Sequence, residues 1–225
     1  MIPRREIRYA AVNVTIAACN RAQFNQLIGT GYSGIVISDR WNGFSHLDPT
    51  RRQVCWSHIQ RDFRRHADGL AEQKTFGEQG VALVARVFAA WRGYQHEHHD
   101  RRQLKDEIAP VQTELRALLE AASAKKARNR WHRQFANNLL KVWPALWTFT
   151  TVAGVEPTNN PAERSLRAPV IHRKLSHGTR SPDGERFAER ALSAAATCRR
   201  QHRSLFAYLS DPTADARGDP FPQLA

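Results

Sequence analysis

Little in this sequence invites a membrane or a disulfide. Its three cysteines, Cys19, Cys55 and Cys198, lie far apart, are odd in number and include no CxxC pair, so no disulfide framework is indicated and a reducing cytoplasm fits. No apolar run is long enough to span a bilayer. The N-terminal YAAVNVTIAAC follows basic residues as a signal peptide would, but Asn13 and Thr15 interrupt it, and it reads as a strand. No internal repeat and no evident Ser, His, Asp arrangement is present. Acidic residues are the scarcer charge, 21 Asp and Glu against 34 Lys and Arg, which leaves a net charge of +13. Before Asp39 there is a single one, Glu6.

What the chain does have is a sizeable apolar fraction, 41% of 225 residues, enough for one large domain or for a core with an insertion. Disorder is expected only in the tail RGDPFPQLA. The basic excess sits in short clusters, RRQVCWSHIQRDFRRH, KKARNRWHR, ERSLRAPVIHRK and RRQHR, interleaved with Trp, Phe and His. That pattern favours a polyanion as partner, nucleic acid before others; the bland alternative is a basic, soluble surface.

Residues 9–18 are rich in β-branched and small side chains and predict a strand. NRAQFNQLIGTG reads as a short helix closed by glycine, and GIVIS at 34–38 as a second strand. A third short strand is expected in RRQVCW, after the turn chemistry of SHLDPT. From about residue 58 the period becomes helical. Val84, Val87, Phe88, Trp91 and Tyr94 share one face. Leu104, Ile108, Val111, Leu115, Leu118 and Ala122 share another, and Trp131, Phe135, Leu139, Val142, Trp143 and Leu146 a third. After TTVAGVEPT comes a short helix opened by Asn160 and Pro161. The last long helix is expected to turn Phe187, Ala191, Ala194, Cys198, Leu205 and Leu209 inward. An α/β core interrupted by a helical insertion accounts for this order.

Two carboxylates invite a chemical reading. Asp39 directly follows GIVIS and so falls at the C-terminal end of a buried strand, where open α/β sheets place ligand sites; the competing reading is a turn, since SDRWNG is turn-rich. Glu163 stands three residues after Asn160, the spacing of a capping box, and the same place beside a positive helix end suits a ligand for a hard cation. Arg164 and Arg167 suit a phosphate backbone or merely a charged, solvated face. Cys55 and His58 have no second Cys/His pair at zinc-site spacing, and packing or helix entry suits them better. HEHHD at 96–100 reads as a solvated connection between helices.

Four stretches, SDRWNGF, RRQVCWSHIQRDFRRH, GVEPTNNPAERSLRAPVIHRK and HGTRSPDGERFAERALSAAATCRRQHRSLFAYL, together resemble the bacterial insertion-sequence-66 family of transposases in order and spacing, over roughly residues 15–210. The resemblance implies a partial ribonuclease-H-like core with an Asp, Asp, Glu site for Mg2+ or Mn2+. Asp39 matches the second acidic residue, Glu163 the third, and Cys55 and His58 a Cys-x-x-His motif. It implies DNA as partner, with Asn160, Arg164, Arg167, Arg173 and Lys174 as candidate contacts. The expected organisation is a truncated core segment at 1–57, a helical insertion at 58–150, core helices with the Glu motif at 151–210 and a flexible tail at 211–225. Two-ion phosphodiester chemistry needs hard oxygen ligands and no covalent protein nucleophile, which agrees with the residues present.

The departure from that pattern is the first Asp. Glu6 precedes the strand at 9–18 and is a poor substitute. The expectation is therefore a C-terminal transposase fragment with two of three metal ligands, inactive alone, cytoplasmic and nucleoid-associated in a bacterium. A non-catalytic DNA-binding or oligomerising module that competes with intact transposase is the alternative, and a decayed gene product the third reading.

Overall fold

The computed structural model describes residues 32–96, 99–124, 130–175, 179 and 181–210. The strand expected at 9–18, the helix after it, Glu6, Cys19 and the tail from 211 lie outside the described residues. The chain divides into two compact units, one of residues 32–159 and one whose described part begins at Asn160.

In the first unit, β1 (Val36–Ser38) and β2 (Arg52–Val54) form a parallel pair, with Val36 opposite Arg52, Ile37 opposite Gln53 and Ser38 opposite Val54. The two strands expected among the described residues are present. A parallel pair needs a crossover of about a dozen residues, usually a helix. Here residues 39–51 supply it with two single-turn 3-10 segments, Asn42–Phe44 and Pro49–Arg51. Asp48 stabilises the second turn by accepting a hydrogen bond from the Thr50 amide at 2.8 Å. Every residue of β2 is buried, as for a strand covered on both faces.

The chain then turns helical, with α1 (Trp56–Ala67), α2 (Glu72–His96), α3 (Arg101–Ser123), α4 (Arg130–Lys141) and two single turns, α5 (Trp143–Leu146) and α6 (Thr148–Thr151). Successive long helices pack on one another. The α1–α2 contact is close because Gly77 and Gly80 carry no side chain. A Cβ on Gly77 would meet the His66–Ala67 backbone, and one on Gly80 the Phe63 ring. α3 opens with a capping box: the Gln103 amide donates to Asp100 Oδ1 at 2.8 Å and the Asp100 amide donates to Gln103 Oε1 at 2.7 Å. Asp100, the last residue of HEHHD, is thus a cap, and His99 Nδ1 lies 3.1 Å from Glu107 Oε1.

One core joins these elements, from Val54, Trp56, Ile59 and Phe63 through Val84, Val87, Leu104, Ile108, Val111 and Leu115 to Phe135, Leu139, Leu146 and Phe149. Phe88, Trp91, Tyr94, Leu118, Ala122, Val142 and Trp143 pack at its edge as their periodicity predicts. Trp131 does not join the third face. It is 70% exposed in the first turn of α4, where the adjacent His132 takes the inward position instead.

In the second unit, α7 (Asn160–Leu175) is followed by α8 (Pro182–Arg200) and α9 (Leu205–Leu209), which packs on α8. Ser181 and Ser204 cap the last two, their Oγ atoms accepting from Gly184 and Ala207 amides at 3.1 and 3.3 Å. The single long helix expected here is broken after Arg200, where His202 takes φ 53° and the Arg203 amide donates to Cys198 O at 2.9 Å. The inward face also differs. Ala188, Ser193, Ala194, Thr197 and Cys198 are buried, whereas Phe187, Ala191 and Leu209 are exposed and Leu205 is half-buried. The buried stripe of α8 is one of small residues, rotated by about one position from the stripe the large side chains would draw.

Among the described residues, no helix is long and apolar enough to cross a membrane. The described architecture is helix-rich with one small parallel sheet.

Candidate metal and nucleic-acid site

Asp39 is the first residue after β1 and is half-buried. Its Oδ1 accepts a hydrogen bond from the Trp41 amide at 2.9 Å, so the carboxylate closes an Asx turn. The turn that the sequence offered as the competing reading is thus present, with one carboxylate oxygen held by a backbone amide. Beneath the turn lies Arg52, a residue of β2 that is 3% exposed. Its Nε donates to Ser38 Oγ at 3.0 Å, one terminal nitrogen donates to Phe44 O at 3.2 Å and the other to Asp39 O at 2.5 Å. Its guanidinium also lies over the Phe44 ring, 5.5 Å from the centroid. Burial pushes the Arg52 pKa below its ordinary value, and the nearby Asp39 charge opposes that shift.

The adjacent Arg40 is anchored differently. Its guanidinium pairs with Asp62 on α1 and stacks 4.7 Å above the Phe135 ring of α4. Asp62 also receives Arg65 at 3.1 Å, so one carboxylate serves two arginines. Behind this pair is an aromatic nest in which His66 and His132 approach to 5.2 Å and His132 stacks on Phe76 at 4.6 Å. Burial lowers the pKa of both imidazoles. For His66, His132 and Arg40 lower it further while Asp62 opposes; for His132, Glu72 opposes.

Cys55 is fully buried just before α1, and its sulfur accepts from the Asn159 amide at 3.5 Å. It ties the segment after α6 to the start of α1, as does the Trp56 amide donating to Pro157 O at 2.9 Å. His58 is half-buried on the first turn of α1. These placements agree with helix entry and packing.

Glu163 lies in the first turn of α7 and is exposed, as are Arg164, Arg167 and Lys174; Asn160 is half-buried, and the side chain of Arg173 is outside the described residues. Asp39 belongs to the first unit and Glu163 to the second. Among the described residues, no group of three or more His, Cys, Asp or Glu side chains could hold a metal ion. Each carboxylate taken singly is a hard oxygen donor of the kind Mg2+ accepts.

Arg52 and Asp62 are the residues that sequence reading passed over. Each sat inside a basic cluster read as favouring a polyanion partner, and only the pairing of β2 with β1 and the packing of α1 reveal what they hold.

Residues 5–187 match the Transposase IS66 family. An uncharacterized protein of Sinorhizobium fredii, y4hP, is 24% identical over 213 residues, which are 86% of this chain and 39% of the relative. The chain thus spans about two fifths of the length of that curated relative. No solved structure matches.

Proposed function

Because the chain belongs to the IS66 transposase family, we propose that it acts on DNA as a transposase-derived protein whose small parallel sheet is part of a ribonuclease-H-like core, with the helices that follow as an insertion. Asp39 and Glu163 are the residues that would hold Mg2+ or Mn2+. When bound, such ions activate a water or a 3′-hydroxyl and stabilise the leaving oxygen in phosphodiester cleavage and strand transfer. The observation that carries the reading is Asp39 at the C-terminal end of β1, its carboxylate held by the Trp41 amide. Asn160, Arg164, Arg167, Arg173 and Lys174 of α7 contact the DNA backbone, and the setting is a bacterial cytoplasm, at the nucleoid.

The sequence offers only Glu6 as an acidic residue before Asp39. We therefore propose that the chain alone binds DNA without cutting it. Exposed Arg164, Arg167 and Lys174 favour the companion reading, a DNA-binding or oligomerising module that competes with intact transposase.

Binding of a fluorescent duplex, measured against salt, tests the reading. Log K should fall steeply with log salt, by about 0.9 for each phosphate neutralised, and Arg164→Ala with Arg167→Ala should lower that slope by about 2. Absent or salt-independent binding would sink the DNA reading. Cleavage in Mg2+ or Mn2+ that disappears in Asp39→Ala and in Glu163→Ala would overturn inactivity and leave the transposase assignment standing.

A further inference from the structure

We propose that Arg52 is the positioning residue of the Asp39 carboxylate; the metal half of this inference rests on the proposed function, the positioning half on geometry alone. A buried arginine without a carboxylate at hydrogen-bond distance is costly, and this one spends its donors on neutral oxygens: Ser38 Oγ, Asp39 O and Phe44 O. Those three acceptors span the end of β1, the residue after it and the first 3-10 turn. Arg52 therefore staples both ends of the turn that carries Asp39. The planar fork of guanidinium aims donors from three separate nitrogens in fixed directions, whereas the three donors of lysine radiate from one rotating ammonium.

Two details make this positioning rather than mere cohesion. First, no Arg52 donor is directed at the carboxylate itself, whose Oδ1 is oriented by the Trp41 amide. The Arg52 charge acts on the carboxylate through space without occupying its oxygens. Second, Arg52 is itself held from behind. The Thr148 hydroxyl donates to Arg52 O at 2.6 Å, while neighbouring Gln53 accepts from the Phe149 amide at 2.8 Å and donates to Leu146 O at 3.2 Å. The helical turns at 143–151 thus reach the Asp39 turn through β2. A site group held by a locked neighbour is what preorganisation requires.

The test uses the full chain with Arg52→Lys, which keeps the charge and loses the fork, and Ser38→Ala, which removes one acceptor and leaves the arginine. Amide hydrogen exchange is read at Trp41 against buried amides of α1 and α3, and Mn2+ binding is read by electron paramagnetic resonance with Asp39→Asn as reference. Arg52→Lys should raise Trp41 exchange roughly tenfold or more, as expected for losing a charge-assisted hydrogen bond, with the helix amides unchanged. Ser38→Ala should give a smaller change at the same amide. Mn2+ affinity should fall about tenfold in Arg52→Lys, in the direction of Asp39→Asn. Unchanged Trp41 exchange in both variants, or equal loosening of the whole unit, would overturn the proposal. So would Mn2+ binding that Asp39→Asn weakens and Arg52→Lys leaves intact, since Arg52 would then be structural only. If Asp39→Asn has no effect on Mn2+, the metal reading falls, and the exchange result alone decides whether Arg52 positions Asp39.

Discussion

The two candidate carboxylates stand on different kinds of ground. Asp39 rises from a unit whose interior holds Trp56, Phe63, Phe149 and a row of Leu and Ile side chains, all fully buried. Its polar groups are matched there too: the Trp56 indole donates to Leu146 O at 2.8 Å, and the Gln53 amide is used at both ends. Glu163 lies on an exposed turn of α7, in a unit that buries Ala188, Ser193, Ala194, Thr197 and Cys198 and leaves Leu175, Phe187, Phe206 and Leu209 at least two-thirds exposed. Large buried side chains lock rotamers and backbone together; small ones bury less area and lock less. The difference teaches that a candidate site group can rise from a tightly packed interior, as Asp39 does, or stand at an exposed position on a helix, as Glu163 does.

The largest expected effect breaks the first side of that contrast. Phe63 touches Phe76 and Phe135, at 5.5 and 5.0 Å between ring centroids, and fills the space above Gly80. Phe63→Ala should cost about 3–5 kcal/mol in urea unfolding, the usual range for emptying a buried aromatic site. A loss below about 1 kcal/mol would mean that the α1–α2–α4 core is not tightly packed.

A middle-sized effect comes from acid. The nest around His66 and His132 includes Arg40, Asp62, Glu72 and Gln73 as its charged and polar neighbours. Burial depresses both imidazole pKa values, so the unfolded chain binds more protons than the folded one as pH falls through about 6.5. The stability these groups contribute is complete above that pH and is lost below it. Urea midpoints should decline between pH 7 and 5.5, and His132→Phe, which keeps the ring stack on Phe76, should flatten the decline. An equal slope in the variant would place the acid sensitivity elsewhere.

The smallest effect sharpens the other side. Phe187 is 74% exposed, so Phe187→Ser should shift unfolding by no more than about 0.5 kcal/mol. A loss of several times that size would show Phe187 buried in the working protein and erase the contrast between the units.

Periodicity made much of the fold legible. GIVIS and RRQVCW each contain a three-residue strand, and the inward faces of α2 and α3 are the ones their spacing draws, because side-chain direction in a regular element follows from the backbone repeat alone. Trp131, Phe187 and Leu209 were misassigned for one reason: a helix repeat gives the angle between side chains but not which angle meets a neighbour. At the site, the adjacency of Asp39 to a strand end and of Glu163 to a helix start was visible in a few consecutive residues. The clamp under Asp39 was not, since Arg52 resembles every other arginine in its cluster.

By itself the sequence determined the basic charge, the strand and helix segments, the family and the two carboxylates, all of which depend on residue type and local spacing. The tertiary structure decided that Arg52 is buried, that Asp62 holds Arg40, and that Gln53, Trp56 and Thr148 bind a segment ninety or more residues away. Those outcomes depend on which distant groups share a dry interior, where a polar group without a partner is costly, and no local pattern records its partner.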